Sequence, residues 1–400
     1  MRACFALRTD MFKPSPIFRA VKEARALAAA GWACSASCWI KGAPVLPARE
    51  TVDEVEIHRI RYDPPAQRLA FIPARYLGLR RVSKAMAAEI AAIEPDVVIA
   101  HDLEVLGAGV RAAQSRHVPV LYDAHEDWPA MVGETSRLEG WLASSLERRL
   151  CQLVDAVVTP SDSIRDKYRR MGLRAETLYN SPYREEVDPP PDPVTVQRTR
   201  NELGLSGRFV LGYSGTLAPH RGLETTIDAL THLPDDVFFL VVGGPDDEQR
   251  RLETLARNRG VDRRIRLVGR VPRTEVPRFT ATFDLAVVLL PPVSANYLQA
   301  LPNKVFDYLA AGIPILASDL PELRRFVELD VRCGVVVPPN PASVVSAVTS
   351  LRAAPDRLKQ LGTSGRTAFV ERLSWDHQAA KFLTLLREIG VPIGSGAGTK

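Results

Sequence analysis

Short apolar runs alternate with longer helical patterns along almost the whole chain, and this alternation restricts the fold more than any other feature of the sequence. In the first half, the runs expected to be strands are residues 3–7, 33–40, 56–60, 96–100, 119–123, 156–159 and 176–179. In the second half, they are residues 209–214, 237–242, 264–268, 284–289, 314–317 and 335–337. Strands that alternate with helices are typical of βα units in parallel sheets. The predicted fold class is therefore α/β.

A proline-rich segment separates the two series of βα units. Residues 187–193 read Val-Asp-Pro-Pro-Pro-Asp-Pro, and so many prolines exclude both a helix interior and a central strand. A chain of 400 residues has room for about two or three domains. The sequence predicts two parallel-sheet domains, residues 1–187 and 196–373, that face each other across a cleft and are joined by a linker at 188–195. Residues 374–390 are expected to form a helix that crosses back to the first domain, and residues 391–400 a flexible tail.

Composition excludes several classes of protein. With 46% hydrophobic and 25% charged residues, the chain has the composition of a globular protein rather than a disordered one. No apolar run approaches the roughly 18 residues of a membrane-spanning helix, and the N-terminal run is shorter than a signal-peptide core. The five cysteines are odd in number and lie mostly in apolar runs, as expected of reduced thiols. We therefore expect a cytoplasmic location, with peripheral attachment to the inner face of a membrane as an open alternative.

The charge balance indicates anionic ligands but not nucleic acid. The net charge of +5 is too small for the basic stripe of a nucleic-acid-binding protein. One stretch is both basic and apolar, with cations at Arg75, Arg80, Arg81 and Lys84 among the apolar residues Phe71, Tyr76, Leu77 and Leu79. Such a stretch is either a solvated helix face or a contact with an anionic membrane.

The loop after the predicted strand 209–214 has features of an anion site. It reads Gly-Thr-Leu-Ala-Pro-His-Arg-Gly from Gly215 to Gly222, and a helix follows it. A glycine at a strand end allows the close approach of a ligand, and a helix N-terminus directs free N–H groups toward an anion. Arg221 adds a guanidinium that suits phosphate oxygens. A glycine turn before a helix is common, so this segment alone predicts phosphate binding only weakly.

The segment 301–323 is more informative. Pro302 is expected to start a helix, which places Asn303 and Lys304 in its first turn. A cation there opposes the helix dipole unless an anion lies beside it. Asp307 is one turn further along, so all three side chains are expected to share a face at the strand ends. Helix signals explain the prolines and Gly312 but not this polar face.

Histidines and acidic residues follow two predicted strands of the first half. His101 and Asp102 end one strand, and Asp123, His125, Glu126 and Asp127 follow the next. Ligands of parallel sheets bind at the carboxyl ends of the strands, so these residues are candidates for catalysis or substrate contact. A metal site on His101 and the Asp-x-His of 123–125 is a weaker alternative, because a third ligand at suitable spacing is not evident.

The segment 301–323 resembles the nucleotide-sugar site of retaining family 4 glycosyltransferases with the GT-B fold. The shared signature is Pro-Asn-Lys-x-Phe-Glu-Tyr-x-Ala-Ala-Gly-x-Pro-x-x-Ala-Ser. The similarity extends to residues 19–24, 120–126, 213–217, 267–271 and 374–375 and so covers most of the chain. The resemblance implies two Rossmann-like domains and a nucleoside-diphosphate sugar as donor substrate, with no cofactor.

For the second half, the resemblance implies how a donor is bound. Asp307 would hold the ribose hydroxyls, although the family usually has glutamate there. Arg221 matches the residue that contacts the diphosphate, and Lys304 is a second candidate for the same charge. The remaining matched or neighbouring positions of the donor site are Gly215, Thr216, Gly269, Arg270, Gln299 and Asn303. The family often has arginine and glutamate where this chain has Thr216 and Gln299, which leaves the identity of the sugar open.

For the first half, the resemblance implies contacts with the sugar and the acceptor. His125 matches the histidine that faces the transferred sugar near its anomeric carbon, and Glu126 and Asp127 are placed to orient it or to contact the acceptor. His101 and Asp102 are further candidates for such contacts. The predicted catalytic residues are thus His125, Arg221 and Lys304.

The function implied is retaining transfer of a sugar from a nucleoside diphosphate to a hydroxyl, in the synthesis of cell-surface polysaccharide or glycoconjugate. The sequence has no Asp-x-Asp triplet to hold a metal diphosphate, so metal-independent transfer is expected. The acceptor is a glycan, a lipid-linked molecule or a small molecule. Two alternatives stay open: another GT-B enzyme such as a nucleotide-sugar epimerase, and a non-catalytic subunit that binds a sugar nucleotide.

Overall fold

The computed structural model describes residues 1–13, 17–40, 46–61 and 72–394, with the backbone alone described for 72–79. The chain divides into two compact units. The first unit comprises Met1–Asn180 and Asp376–Lys400, and the second comprises Ser181–Trp375. Each unit is an α/β structure built around one mainly parallel sheet, so the predicted fold class is confirmed.

The first unit is built on an eight-stranded sheet of order β3-β4-β2-β1-β5-β6-β7-β8. Its strands are β1 Arg2–Leu7, β2 Ala33–Ile40, β3 Arg49–Val52, β4 Val55–Arg61, β5 Val97–His101, β6 Val120–Asp123, β7 Ala156–Thr159 and β8 Ala175–Thr177. Its first six helices are α1 Phe18–Ala29, α2 Ile72–Ala92, α3 Leu103–Arg116, α4 Trp128–Gly133, α5 Arg137–Cys151 and α6 Asp162–Arg170. All strand pairs are parallel except β3 with β4, and this antiparallel edge strand was missed by the sequence analysis.

The second unit is built on a six-stranded parallel sheet of order β11-β10-β9-β12-β13-β14. Its strands are β9 Phe209–Ser214, β10 Val237–Val242, β11 Ile265–Val268, β12 Leu285–Val288, β13 Ile315–Ser318 and β14 Gly334–Val337. Its helices are α7 Pro193–Glu202, α8 Leu223–Leu230, α9 Asp246–Asn258, α10 Val276–Thr280, α11 Ala295–Gln299, α12 Lys304–Ala311, α13 Pro321–Arg324, α14 Pro341–Arg352 and α15 Pro355–Ala368. Short 3₁₀ turns occur at 184–186, 262–264 and 273–275, and π-helical turns at 325–330 and 369–373.

The central strands are hydrophobic along their whole length because helices cover both faces of each sheet. In β10, all six residues from Val237 to Val242 are buried. Such continuous burial is typical of parallel sheets and explains why these strands could be predicted from apolar runs alone.

The last helix, α16 Trp375–Glu388, begins at the final residue of the second unit, and its remaining residues belong to the first. Phe382 and Leu386 are fully buried in a core cluster of the first unit. Val391 and Ile393 join the same cluster, with 2% and 7% of their surface exposed. The prediction of a flexible tail from residue 391 is therefore wrong for 391–394, because apolar side chains anchor this segment, and residues 395–400 lie outside the described part.

The predicted linker at 188–195 also differs from the structure. The units divide between Asn180 and Ser181, and the proline-rich segment belongs to the second unit. Asp188 pairs there with Arg366 and Arg184. Helix α7 begins within the predicted linker, at Pro193, because Asp192 caps it by accepting from two backbone N–H groups. Proline is tolerated in the first turn of a helix, because the backbone N–H that it lacks would have no partner within the helix at that position.

The basic and apolar stretch at 71–84 is only partly described. Arg80, Arg81 and Lys84 are exposed on α2, whereas Phe71 lies outside the described residues and the side chains of 72–79 are not described. Within the described chain, none of the helices combines the length and the apolar character needed to cross a bilayer.

Candidate active site

The first group of candidate residues lies at the carboxyl ends of β5 and β6. These strands are parallel neighbours, and their register places His101 beside Asp123. Asp102 follows with a φ of +71° and donates its N–H to the Asp123 carbonyl at 2.9 Å. Its carboxylate accepts from the N–H of His125 at 3.4 Å. The sheet therefore brings together the two histidine–acid pairs that the sequence placed at separate strand ends.

Asp123 is the centre of this group. Its Oδ2 lies 3.0 Å from His101 Nδ1 and 3.2 Å from His125 Nε2. The two histidine nitrogens are themselves 2.9 Å apart. Asp123 and His101 are buried, whereas 25% of the His125 side chain is exposed. Only His125 in this trio therefore has substantial access to a ligand.

Two buried residues of α1 complete the group and were not assigned a role by the sequence analysis. Arg19 Nε lies 3.0 Å from Asp123 Oδ2 and 3.5 Å from Glu23 Oε1. Glu23 Oε2 lies 3.4 Å from His101 Nε2. The signal in the sequence is an i,i+4 pair of charges on the same helix face as the buried Ala20, Ala24 and Leu27.

Protonation within the group follows from burial and from these neighbours. Burial alone would raise the pKa of Asp123, but Arg19 and the two histidines outweigh it and lower that pKa well below its usual value. Burial and the charge of Asp123 raise the pKa of Glu23 well above its usual value. Burial lowers the pKa of His101 despite Asp123, whereas for His125 the attraction of Asp123 outweighs burial and raises the pKa. The arrangement favours a charged His125 beside a neutral His101.

Ligand atoms of His101, Asp123 and His125 all lie within 4.8 Å of one another, as a metal site would require. These are the three residues that the sequence analysis named for its weaker metal alternative, and the structure brings them together although their spacing along the chain is irregular. The guanidinium of Arg19, however, already provides the positive charge next to the Asp123 oxygen. Arg19 thus supplies positive charge to this group from within the protein, and metal-independent transfer stays a prediction.

Two neighbouring acidic residues are placed differently from each other. Asp127 is buried, caps α4 by accepting from the N–H of Ala130, and pairs with Lys167 at 2.8 Å. Asp127 therefore has two partners within the fold, and its predicted role in orienting His125 or contacting the acceptor stays a prediction. Glu126 is exposed and acts electrostatically on Arg8.

The second group of candidate residues surrounds the carboxyl end of β9. Gly215 has a φ of +126°, which disfavours any other residue, and its N–H donates to the Val242 carbonyl at 2.9 Å. Gly243, after β10, approaches so closely that a Cβ there would lie 1.9 Å from the Gly215 oxygen. The two glycines therefore allow the loops after β9 and β10 to lie in direct contact.

Lys304 extends from α12 toward this loop. Its Nζ lies 3.3 Å from the ring centroid of Tyr213, and a Cβ on Gly215 would lie 3.4 Å from the same nitrogen. The Tyr308 hydroxyl accepts from the N–H of Ser214 at 2.9 Å and so fixes α12 to the end of β9. Burial lowers the pKa of Lys304 well below its usual value, and the nearby Arg221 lowers it further. In the described part of the chain, the Lys304 ammonium has no carboxylate at ion-pair distance.

Asp307, one turn further along α12, has an arginine partner. Its two carboxylate oxygens accept from Arg273 at 2.8 and 2.5 Å. Arg273 lies in the 3₁₀ turn that follows β11, and the sequence analysis assigned it no role. The expectation that Asn303, Lys304 and Asp307 share a face stays a prediction, and the structure adds that Arg273 binds the Asp307 carboxylate.

The other predicted donor residues lie on loops around the same sheet edge. Gly269 and Arg270 follow β11. The Arg270 side chain packs against Gly244, where an added Cβ would lie 2.9 Å from the Arg270 Cγ. Thr216 is exposed, and its carbonyl accepts from the Tyr213 hydroxyl at 2.8 Å. Asn303 is exposed at the start of α12, and Gln299 ends α11 with its amide on the Ala295 carbonyl at 3.2 Å.

Solved structures with the same architecture are GT-B enzymes. HepE from Anabaena, solved in complex with UDP, superposes with a TM-score of 0.74 at 18% identity and covers 97% of this chain and 100% of its own. Sucrose-phosphate synthase from Thermosynechococcus elongatus gives a TM-score of 0.77 at 19% identity, over 97% and 99% of the two chains. The fold is therefore GT-B, as the resemblance implied.

Sequence comparison defines the family. Residues 19–180 match the glycosyl transferase 4-like domain, and residues 196–368 match the glycosyl transferases group 1 family. A relative from Mycolicibacterium smegmatis, a GDP-mannose-dependent alpha-(1-6)-phosphatidylinositol monomannoside mannosyltransferase, is 26% identical over 71% of this chain and 73% of its own. Fold and relatives together define a glycosyltransferase that uses a nucleotide sugar. The chain thus combines a glycosyl transferase 4-like domain with a glycosyl transferases group 1 domain.

Proposed function

We propose that this glycosyltransferase moves a sugar from a nucleoside diphosphate to a hydroxyl acceptor with retention at the anomeric carbon and without a metal on the diphosphate. The acceptor would be a glycan, a lipid-linked molecule or a small molecule, in the synthesis of cell-surface polysaccharide or glycoconjugate. We further propose that binding of the donor belongs to the second unit and that His125 contacts the transferred sugar.

The observation that carries the proposal is the pair of cations at the end of β9. Lys304 is partly buried beside Gly215 and Tyr213 without a carboxylate partner in the described chain, and Arg221 adds a second positive charge. Two cations that repel each other at a partly buried place destabilise the fold unless an anion joins them. The diphosphate of a nucleotide sugar supplies that anion. It is negatively charged when the donor binds and gains further negative charge as it leaves during transfer.

The same cations replace a metal in the proposed mechanism. As the bond from the anomeric carbon to the diphosphate breaks, the diphosphate gains negative charge that Arg221 and Lys304 stabilise. The family resemblance implies that the leaving diphosphate then takes the proton of the acceptor hydroxyl. No nucleophile from the protein is needed for this route, and the acceptor attacks the face that the diphosphate leaves.

A two-stage experiment tests the proposal. A thermal-shift screen of nucleoside diphosphates and their sugars first identifies the donor, since a ligand at 100 times its Kd adds about 2.7 kcal/mol to stability. Turnover is then measured for Lys304→Ala and Arg221→Ala, with Lys359→Ala on the exposed face of α15 as the matched control. We expect kcat to fall by about two to three orders of magnitude in the first two variants and to stay unchanged in the third.

Each part of the proposal has its own contrary result. Near-normal turnover in both alanine variants would remove the role of the cations. A product with inverted anomeric configuration by NMR would exclude retention, and loss of turnover in EDTA that Mg²⁺ restores would exclude metal-independent transfer. Release of an epimerised sugar without any acceptor, detected by mass and NMR, would instead identify an epimerase.

A further inference from the structure

Helix α5 exposes a surface that is both apolar and basic. Leu138, Trp141 and Leu146 have 59%, 62% and 44% of their surface exposed. Single exposed leucines are ordinary, but Leu138 and Trp141 are three residues apart and so are neighbours on the helix. The exposed arginines Arg137, Arg148 and Arg149 lie on the same half of the helix. We call these six residues the α5 face.

The charge of the α5 face is uniformly positive. Its three arginines have no ion-pair partner among the residues that the structure describes. Of the two acidic residues of the helix, Glu147 is buried, with 1% exposed, and Glu139 lies partly exposed in the first turn, where the helix dipole favours an anion. Apolar side chains in the middle of uncompensated arginines suit a partner that is apolar inside and negative outside.

We propose that the α5 face binds an anionic lipid bilayer. Tryptophan and leucine can enter the boundary between headgroups and acyl chains, while arginines on the same helix pair with lipid phosphates. The proposal gives the proposed transfer a location, since an acceptor carried by a lipid would be reached at this surface. It rests on the proposed function only in that respect, because membrane binding requires no turnover.

Packing beneath the helix connects the α5 face to the candidate active site of the first unit. Lys167 lies 2.7 Å from Glu147 on the buried side of α5 and 2.8 Å from Asp127, two residues after His125. Helix α4 lies against α5 so closely that a Cβ on Gly140 would be 2.7 Å from the Gly133 Cα. A bilayer bound to α5 would therefore lie at a fixed position relative to His125.

Vesicle flotation with the full chain tests the proposal directly. We expect the protein to float with vesicles of phosphatidylglycerol and phosphatidylcholine at low ionic strength, and to float far less with phosphatidylcholine alone or in high salt. Each arginine is expected to strengthen partitioning into anionic vesicles about fivefold. The triple variant Arg137→Gln/Arg148→Gln/Arg149→Gln should therefore partition about a hundredfold more weakly. The matched control is Arg250→Gln/Arg257→Gln/Arg263→Gln, which makes the same charge change on exposed residues of the second unit and is expected to float like the unmodified chain.

Tryptophan emission gives a second, local measurement. The chain has five tryptophans, of which Trp141 is on the α5 face, so a vesicle-induced blue shift that disappears in Trp141→Phe places the bilayer at this helix. Absence of flotation by the unmodified chain, or equal flotation of the α5 and control variants, would overturn the proposal. Concentration-dependent dimerisation that Trp141→Ser abolishes, without vesicle binding, would overturn it in favour of a contact between copies.

The same samples separate this proposal from the proposed function. Thermal shift by the donor nucleoside diphosphate reports on the second unit and should be equal in the unmodified chain and in both triple-arginine variants. A normal shift without flotation contradicts the membrane proposal alone. Flotation without any nucleotide-induced shift supports the membrane proposal and counts against the proposed donor site.

Discussion

Arg273 donates to both carboxylate oxygens of Asp307, at 2.8 and 2.5 Å. The pair joins the turn after β11 to helix α12 and so links the loop expected to contact the base with the carboxylate expected to contact the ribose. Aspartate is one methylene shorter than the glutamate usual at this position, and here an arginine from the turn after β11 holds its carboxylate. Arg273 would thus orient the carboxylate that is expected to contact the ribose.

We predict that Asp307→Asn weakens donor binding by about tenfold to a hundredfold, because hydrogen bonds to a charged group are worth about 1.5–3 kcal/mol. Asp307→Glu keeps the carboxylate and should bind within severalfold of the unmodified chain. Calorimetric Kd values for the nucleoside diphosphate found in the thermal-shift screen measure both effects. Tight binding by the asparagine variant would show that the carboxylate does not contact the donor.

We predict that Lys304 takes up a proton when the donor binds. Its pKa is well below the usual value in the free protein, so part of the population loses its proton as the pH rises through that lowered pKa. A bound diphosphate favours the ammonium and raises the pKa again. Nucleoside diphosphate affinity should therefore be greatest below the lowered pKa and should fall as the pH rises above it.

Calorimetry in buffers of different ionisation enthalpy measures this proton uptake. Lys304→Met should bind more weakly and without the uptake, whereas Lys359→Met, on exposed α15, should behave like the unmodified chain. The same linkage has a definite sign for folding: the unfolded lysine binds more protons than the folded one, so stability without ligand should rise with pH between the lowered pKa and the ordinary value of about 10.4. Equal uptake in Lys304→Met would assign the proton to another group.

The sequence predicted the fold more completely than it predicted the contacts of the site. Buried parallel strands such as β10 are continuous apolar runs, so they could be recognised one at a time. Strand β3 is a polar antiparallel edge and has no such pattern. Arg273 is far from Asp307 in sequence, and only the packing of the turn after β11 against α12 brings the two together. Catalytic and binding roles for the candidate residues stay predictions.

His125 should titrate above the ordinary histidine pKa of about 6.5, because Asp123 outweighs the effect of burial. The charged form then contributes stability that is complete below the unfolded pKa and is lost as the pH rises through the folded pKa. Asp123→Asn should lower the pKa of His125, as measured by NMR of the ring protons with His125→Gln for assignment. An unchanged titration would mean that Asp123 does not control the charge of this histidine.

The same Asp123→Asn substitution should also lower the free energy of unfolding by about 3–5 kcal/mol, because it leaves the buried Arg19 without its main counter-charge. In the unmodified chain burial and the charge of Asp123 both raise the pKa of Glu23 well above its usual value. The substitution removes the effect of Asp123, but burial still opposes a charged Glu23 that could replace it. Denaturant unfolding followed by circular dichroism measures the change. A loss below 1 kcal/mol would show that water or Glu23 compensates Arg19.

Two glycine-to-alanine substitutions should have opposite effects on stability, because Gly140 lies at the close crossing of α4 and α5 and Gly107 lies at a less crowded place in α3. A Cβ on Gly140 would lie 2.7 Å from the Gly133 Cα and 3.1 Å from the Pro129 oxygen, so Gly140→Ala must separate the helices at a cost of about 1–3 kcal/mol. Gly107 is inside α3, and a Cβ there would have ordinary contacts of 3.8 and 3.9 Å. Gly107→Ala should therefore stabilise the chain by about 0.5–1 kcal/mol, the usual gain of alanine over glycine in a helix. Denaturant midpoints at constant m-value compare the two variants, and equal effects of the same sign would contradict the tight crossing that holds the α5 face in place.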